Sequence, residues 1–249
     1  MRRWTGMTPR VKAAAVMVVV VSGLAVGLLV VLPLPSLLHH YEVQVQEGQT
    51  SFNVFLGDLE DTNLSITFVD DPSLLYTMDI ALYEPATPAE AYTYHPIRGY
   101  DTLLKAKVRI RSLNITLGTG VEYNIGVFGI NLDSTIIFDN GANMTWWPLT
   151  YAATGRLDLV LTENITLTSD IYLSVGGRDG FNYMTSLHLD VDLPPSVRGS
   201  LSFSDASIAF TENVGWEYNG IDTYRTPSGS PLIKIYVGRC HHIYARLHD

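Results

Sequence analysis

The chain has 249 residues, 47% of them hydrophobic, with 16 Lys and Arg against 25 Asp and Glu and a formal charge of −9. All 25 acidic residues but only twelve of the basic ones follow residue 12, a balance of −13 that argues against binding nucleic acid or anionic lipid through charge. A single cysteine excludes an internal disulfide, so the fold has to rest on its hydrophobic core.

Residues 1–12 form a basic stub carrying Arg2, Arg3, Arg10 and Lys12, and residues 13–38 contain no charged side chain. At 1.5 Å rise per residue, about twenty apolar residues cross a hydrocarbon core of roughly 30 Å. The spacing therefore predicts a transmembrane anchor over 13–38, its helix ending near residue 32 before Pro33 and Pro35. The flanking basic residues predict a single-pass protein at the cell membrane, with its N-terminus cytoplasmic and the remainder extracytoplasmic. A cleaved signal peptide fits less well, because the run is longer than a secretory h-region and ends on Pro-Ser-Leu-Leu-His-His.

Period-two alternation governs the chain beyond the anchor. Tyr41/Val43/Val45, Phe52/Val54/Leu56, Leu64/Ile66/Phe68 and the stretch 74–83 read as four strands of one antiparallel group. Residues 84–101 hold three prolines without alternation and read as a long loop, which divides a first β subdomain (39–100) from a main β-rich ectodomain (101–249). Strands resume at Ala106/Val108/Ile110, and the apolar parity then switches to Leu113/Ile115/Leu117, as a β-bulge would produce. Further short strands follow at 121–127, 135–138, 157–161, 165–167, 171–175, 187–193, 201–203, 208–210, 216–218, 221–223 and 232–237. Asn140-Gly141 and Asn219-Gly220 have the composition of two-residue hairpin turns. The expected fold is an all-β ectodomain, an antiparallel sandwich or a β-solenoid-like stack, preceded by one transmembrane helix. No clean fixed-length repeat selects the solenoid.

Four N-x-S/T sequons, at Asn63, Asn114, Asn143 and Asn164, are candidate glycosylation sites. In three of them the Asn and the hydroxyl residue fall on the polar face of an expected strand, where a glycan would leave the interior undisturbed. Trp146 and Trp147 are adjacent, so on a strand one of them faces outward and is a candidate partner contact. Cys240 and His242, beside His241, His248 and Asp249, are the weak candidates for metal, although a polar, frayed C-terminus is the better explanation for them. Carboxylates at Asp58/Glu60/Asp61, Asp70/Asp71 and Asp190/Asp192 read as turn and solvated-face residues. No nucleophile elbow, zinc-protease motif, phosphate loop or dinucleotide fingerprint occurs, so no catalytic residue and no cofactor is expected.

The block LNITLGTGVEYNIGVFGINLDSTIIFDNGANMTWWPL, followed by LDLVLTENITLTSDIYLSVGG, resembles uncharacterised membrane-anchored surface proteins of archaea. More loosely it resembles the adhesin-like β-domains found across prokaryotes. The likeness covers roughly residues 100–195 and lies in strand-and-turn texture. It implies an envelope setting and carries over no site residue.

Three functional readings follow. The first is an anchored structural or adhesive surface protein that binds a protein or glycan partner without catalysis. The second is a pilin-like filament subunit, since Lys12-Ala13 before an apolar run resembles a pilin-type cleavage site; Val16-Met17-Val18 stands where an acidic residue would be usual. The third is an exported hydrolase whose carboxylates, such as Asp58, Asp70, Asp190 or Glu217, meet only in the fold. The mass of the native N-terminal peptide separates the second from the others: an intact Lys12-Ala13-Ala14 junction is expected, and cleavage there would favour the filament subunit.

Overall fold

Three non-glycine residues adopt left-handed backbone among the described residues, Asp58 (φ 55°), Asp61 (φ 47°) and Asn131 (φ 55°). Such residues occur where a chain must turn sharply, and short polar side chains tolerate the conformation best. All three lie at places where one strand ends or bends and the chain continues in a second sheet direction.

The computed structural model of the chain describes residues 35–97, 100–138, 148–162, 171–175, 187–203, 212–220, 223–226, 232–237 and 242–247. The chain divides at Pro35, and residues 36–249 form one compact unit. The predicted anchor over 13–38 lies outside the described residues as far as residue 34, while Ser36, Leu37 and Leu38 open a strand. Among the described residues no helix is long and apolar enough to cross a membrane.

That unit is nearly all β, and its strands are joined in one continuous sheet. They are β1 (Ser36–Gln44), β2 (Ser51–Glu60), β3 (Asn63–Phe68), β4 (Leu74–Ala86), β5 (Tyr92–Ile97), β6 (Tyr100–Ala106), β7 (Ile110–Leu117), β8 (Glu122–Phe138) and β9 (Pro148–Leu161). After these come β10 (Ile171–Val175), β11 (Leu187–Leu193), β12 (Arg198–Phe203), β13 (Glu212–Asn213), β14 (Glu217–Tyr218), β15 (Thr223–Arg225), β16 (Leu232–Val237) and β17 (His242–Leu247). One short helix, α1 (Pro88–Ala91), precedes β5; Thr87 at its start donates its N–H and hydroxyl to the Glu90 carboxylate, which holds that carboxyl below its ordinary pKa.

The sheet is curled into two arms. β8 and β9 run through both, bending at 129–132 and near Gly155, so that each half pairs with different partners. The first arm has the order β5, β6, β2, β8, β9, β10, β16, β12, β15, β14. The second has β1, β4, β7, β3, β8, β9, β11, β17, β13. Pairing within the stack is parallel throughout, and antiparallel pairs occur only toward its ends. The described strands thus form one curled, half-barrel-like sheet, in which the rungs each supply one strand to either arm.

This arrangement corrects the antiparallel group expected from the first four strands. Only β1 and β4 pair with each other; β2 and β3 stack in parallel on β8, one in each arm. β2 also lies between β6 and β8, so strands from either side of residue 100 interleave in one sheet. The stretch 84–101 is not a long loop, since it holds the end of β4, α1, β5 and the start of β6. The parity switch is a bulge: Ile110 lies opposite Leu82 and Ser112 opposite Ala81, leaving Arg111 as the extra residue. Asn219-Gly220 falls in a wider connection, because Tyr218 pairs with Tyr224. Residues 242–247 are a strand, not a frayed tail, and Ala245 within it is buried. The strands expected at 165–167 and 208–210 and the Asn140-Gly141 turn lie outside the described residues.

The inward faces of the arms enclose the core. Leu56, Ile66, Leu104, Leu113, Val127, Leu157, Leu159, Leu189, Val191 and Ile235 are essentially inaccessible. Away from the bends the arms are joined by aromatic contacts: Phe52 of β2 stacks on Tyr76 of β4 at 5.4 Å, and Phe68 of β3 meets Tyr123 of β8 edge-on at 6.3 Å. The Tyr123 hydroxyl donates to Leu75 O at 2.6 Å and accepts from Gly118 N, and burial raises its pKa. Large aromatic rings therefore fill the open side of the curl without stranding a polar atom.

At the bends, a ladder of polar groups runs from rung to rung. Arg109 is ion-paired with Asp61, whose other carboxylate oxygen accepts from Asn131 Nδ2 at 2.6 Å, and Asn131 N donates to Thr154 Oγ1 at 2.8 Å. Thr62, fully buried, donates its hydroxyl to Ile110 O at 2.9 Å. Gly155 completes the series with φ +111°, and a Cβ there would stand 2.1 Å from Leu132 O. Gly155→Ala should consequently cost about 3 kcal/mol or more, whereas Gly48→Ala, at φ +79° with open space around it, should cost only about 1 kcal/mol. Urea denaturation of the two variants checks this, and equal losses would refute the close approach at Gly155.

Candidate functional site

The outward face of the second arm is a polar surface built from side chains of many strands. Because side chains alternate along a strand, each parallel rung places its outward residues in register with those of the next rung, about 4.8 Å away. Three rows result. His40, Asp79, Asn114, Ser65, Thr135, Asp158, Asp190 and Tyr244 occupy successive positions of the middle row. A flanking row runs Ser112, Asn63, Asp133, Arg156 and His188. On the opposite flank are Thr77, Thr116, Thr67, Ile137, Val160, Asp192 and Arg246.

The rows differ along their length. Toward β3 and β7 they are hydroxyl and amide groups, with His40 Nδ1 bonded to Asp79 Oδ1 at 2.6 Å near the margin. Toward β9, β11 and β17 they become charged. Arg156 Nε donates to Asp158 Oδ1 at 2.7 Å, and its guanidinium lies 3.8 Å from Asp190, which Arg246 approaches to 3.4 Å. The hydrogen bond that Arg156 donates to Asp158 raises the Arg156 pKa above its ordinary value, and the charges of Asp158, Asp190 and Asp133 add to the effect. His188 stacks on the Tyr244 ring at 4.4 Å, which adds an aromatic platform beside the charged groups. Two carboxylates, two guanidinia and an aromatic pair thus meet on one rigid surface. Such groups offer donors and acceptors in fixed directions to a polyhydroxylated or peptide ligand.

Of the residues singled out in the sequence, Asn63 and Asn114 lie exposed on this face, on neighbouring strands. Asn143, Asn164, Trp146, Trp147 and Cys240 are outside the described residues. His242 is in β17, opposite His188, and no group of three or more metal-ligating side chains converges among the described residues. The four carboxylates named for a hydrolase are on separate elements: Asp58 at a bend, Asp70 beyond the far end of β3, Asp190 on β11 and Glu217 on β14. Period-two reading identifies Asp190 and Asp192 as outward residues, yet Arg156, Arg246, His188 and Tyr244 leave no mark in it. They come together only through the parallel register of β9, β11 and β17.

A second polar cluster is internal. His39 Nε2 faces Ala86 O at 3.0 Å and must donate to it, because a carbonyl only accepts. In the neutral imidazole Nδ1 is then an acceptor, and it takes the Tyr92 hydroxyl proton at 2.8 Å. Tyr92 in turn accepts from Tyr41 at 2.6 Å, and Tyr94, stacked on Tyr41 at 4.9 Å, is bonded to Tyr76. Burial, followed by the Tyr41 hydrogen bond, raises the Tyr92 pKa. The chain of hydroxyls ties β1 and β4 to β5 and is satisfied by its own members. It closes the end of the core and does not form an open site.

The chain matches no protein-family model and no curated protein. Among solved structures it is similar to the crystal structure of a putative cell adhesion protein from Clostridium sporogenes, with 11% identity and a TM-score of 0.51 over 85% of this chain and 100% of that one. At that identity the likeness shows a shared β fold and nothing further.

Tyr92→Phe would leave His39 Nδ1 without its donor and should cost about 1–3 kcal/mol, whereas Tyr41→Phe, which leaves that bond in place, should cost less. Chemical denaturation of both variants measures the difference, and a larger loss for Tyr41→Phe would reverse the assigned direction of the hydrogen bonds.

Proposed function

We propose that the chain is a membrane-anchored surface protein whose second arm binds a glycan or protein partner outside the cell, without catalysis. The observation that carries this reading is the outward face itself: rows of hydroxyl, amide, carboxylate and guanidinium groups, held in register by parallel strands and ending in the His188–Tyr244 pair. Its fold likeness to a protein described as a putative adhesion protein points the same way.

The anchor is the apolar run over 13–32, with the basic stub on the cytoplasmic side. In this reading Asn63 and Asn114 carry glycans, which would cover the β3–β7 end of the face and leave the β9–β11–β17 end to the partner. Recognition at that end would rely on hydrogen bonds to Asp158, Asp190, Arg156 and Arg246, with Tyr244 supplying a ring against which an apolar face can pack.

The test is a glycan array and a cell-binding assay with the full chain in lipid nanodiscs, wild type beside Arg156→Ala and Tyr244→Ala. Either variant should lower binding at least about tenfold, the loss of one or two charge-assisted hydrogen bonds or one aromatic contact. Unchanged binding in both, with loss in Trp146→Ala or Trp147→Ala, would shift the contact to the tryptophans and reject the second arm.

A further inference from the structure

The bend edge of the sheet differs in surface chemistry from the other described surfaces. Among the described residues eight large hydrophobic side chains are exposed, and five of them, Leu37, Leu38, Tyr83, Val108 and Ile130, belong to this edge, with exposures of 41–67%. Their neighbours fix the placement. Leu38 lies opposite Ala81, close to the end of β4 that bears Tyr83. Tyr83 underlies the Arg109 guanidinium at 5.3 Å, and Arg109 is ion-paired with Asp61. Asp61 N donates to Ile130 O at 3.1 Å, and Val108 occupies the turn between β6 and β7. Tyr83, Glu84, Pro85, Ala86, Val108 and Arg109 line a groove of about 390 Å³ along the same edge.

The position at which the chain enters the unit suggests what covers this strip. Ser36 begins β1 opposite Ala86, at the bend edge, and only residues 33–35 separate it from the apolar run that ends at residue 32. Three to four residues reach at most about 14 Å even when fully extended. If that run crosses a bilayer, as proposed above, the bend edge is tethered within that distance of the membrane surface.

From this juxtaposition we infer that the bend edge docks on the lipid bilayer, with Leu37, Leu38, Val108 and Ile130 entering the headgroup region and Tyr83 at its boundary. Tyrosine suits that boundary because its ring is apolar and its hydroxyl stays hydrated. Lys105, Lys107 and Arg109 can extend their stems along the interface while their charged ends remain in water. Lys105 is paired with Asp58 and Arg109 with Asp61, and Glu60 and Glu84 stand nearby, so the edge has no positive excess. Docking is therefore driven by apolar area and is indifferent to lipid charge. It would hold the second arm's outward face at a set inclination to the membrane. The inference rests on the anchored reading, and its test separates the two.

The full chain carrying Cys240→Ser and one new cysteine, Val108→Cys, Ile130→Cys or Gln44→Cys, is labelled with bimane and reconstituted in phosphatidylcholine vesicles containing headgroup-nitroxide lipid. Gln44 is the last residue of the nine-residue β1, whose first residues lie at the edge, and serves as the distant position. Labels at 108 and 130 should be quenched at least twofold more than the label at 44. Adding Leu38→Ser and Tyr83→Ser should lower that quenching, and replacing a third of the lipid by phosphatidylserine should leave it unchanged. A chain that floats with the vesicles but shows equal quenching at all three positions overturns the docking and leaves the anchor standing. A chain that does not float overturns both. Energy transfer between Ile130 labels on different molecules, without lipid quenching, overturns the docking in favour of a second copy at this edge.

Discussion

The bend between the arms is the constraint on which the rest of the molecule depends. A parallel β-stack can enclose a core only if each rung turns back over itself, and β2–β3, β6–β7, β8 and β9 all do so at the same level of the stack. Left-handed backbone at Asp58, Asp61 and Asn131 costs roughly 1–2 kcal/mol per residue. The exposed side chains recover part of that through Arg109, Asp61, Asn131 and Thr154, each bonded to a neighbouring rung. Inside, Thr62 meets the Ile110 carbonyl that would otherwise be buried against apolar side chains. Gly155 does the same turning without a side chain, because Leu132 leaves no room for one.

Once the arms are bent toward each other, the remaining features follow from closing the space between them. Aliphatic residues fill the stack near the bend, and rings span the wider opening, as Phe52 with Tyr76 and Phe68 with Tyr123 do. The ends of a parallel stack expose unpaired strand edges, a hazard for association. Here β4 and β1 cover one end of the second arm, β5 covers the first, and β15 with β14 covers the other end of the first arm, all antiparallel to the strand they protect. The hydroxyl chain from Tyr41 through Tyr92 to His39 stitches two of these caps together.

The same geometry separates two surfaces. Parallel register converts alternation along a strand into rows across strands, and this is why the outward face of the second arm carries its polar groups in ordered rows. At the bend edge, by contrast, strands end or change direction, and there Leu37, Leu38, Tyr83, Val108 and Ile130 are left exposed. In the proposed arrangement the first surface meets a partner and the second meets lipid. The bends would then serve function as well as folding.

Local chemistry determined most of what was legible in the sequence. Alternation at Phe52/Val54/Leu56, Leu64/Ile66/Phe68 and Leu189/Val191/Leu193 specified strands and their inward faces, because a side chain's face depends only on its own position in the pleat. The bulge at Arg111 was visible as a change of parity for the same reason. Which strands are neighbours was not legible. β2 and β3 pair with β8, and β11 with β9 and β17, through hydrogen bonds between chain segments that carry no mark of one another. Proline scatter concealed β5 and α1, since Pro88 sits in the first turn of α1, where its missing N–H does no harm. The cluster of Arg156, Asp158, Asp190, Arg246, His188 and Tyr244, like the apolar strip on the bend edge, exists only because distant residues share a register or an edge. The sequence by itself determined which residues turn inward and where the long apolar run lies; tertiary structure alone decided which outward residues meet, because parallel pairing is a relation between segments and not a property of any one of them.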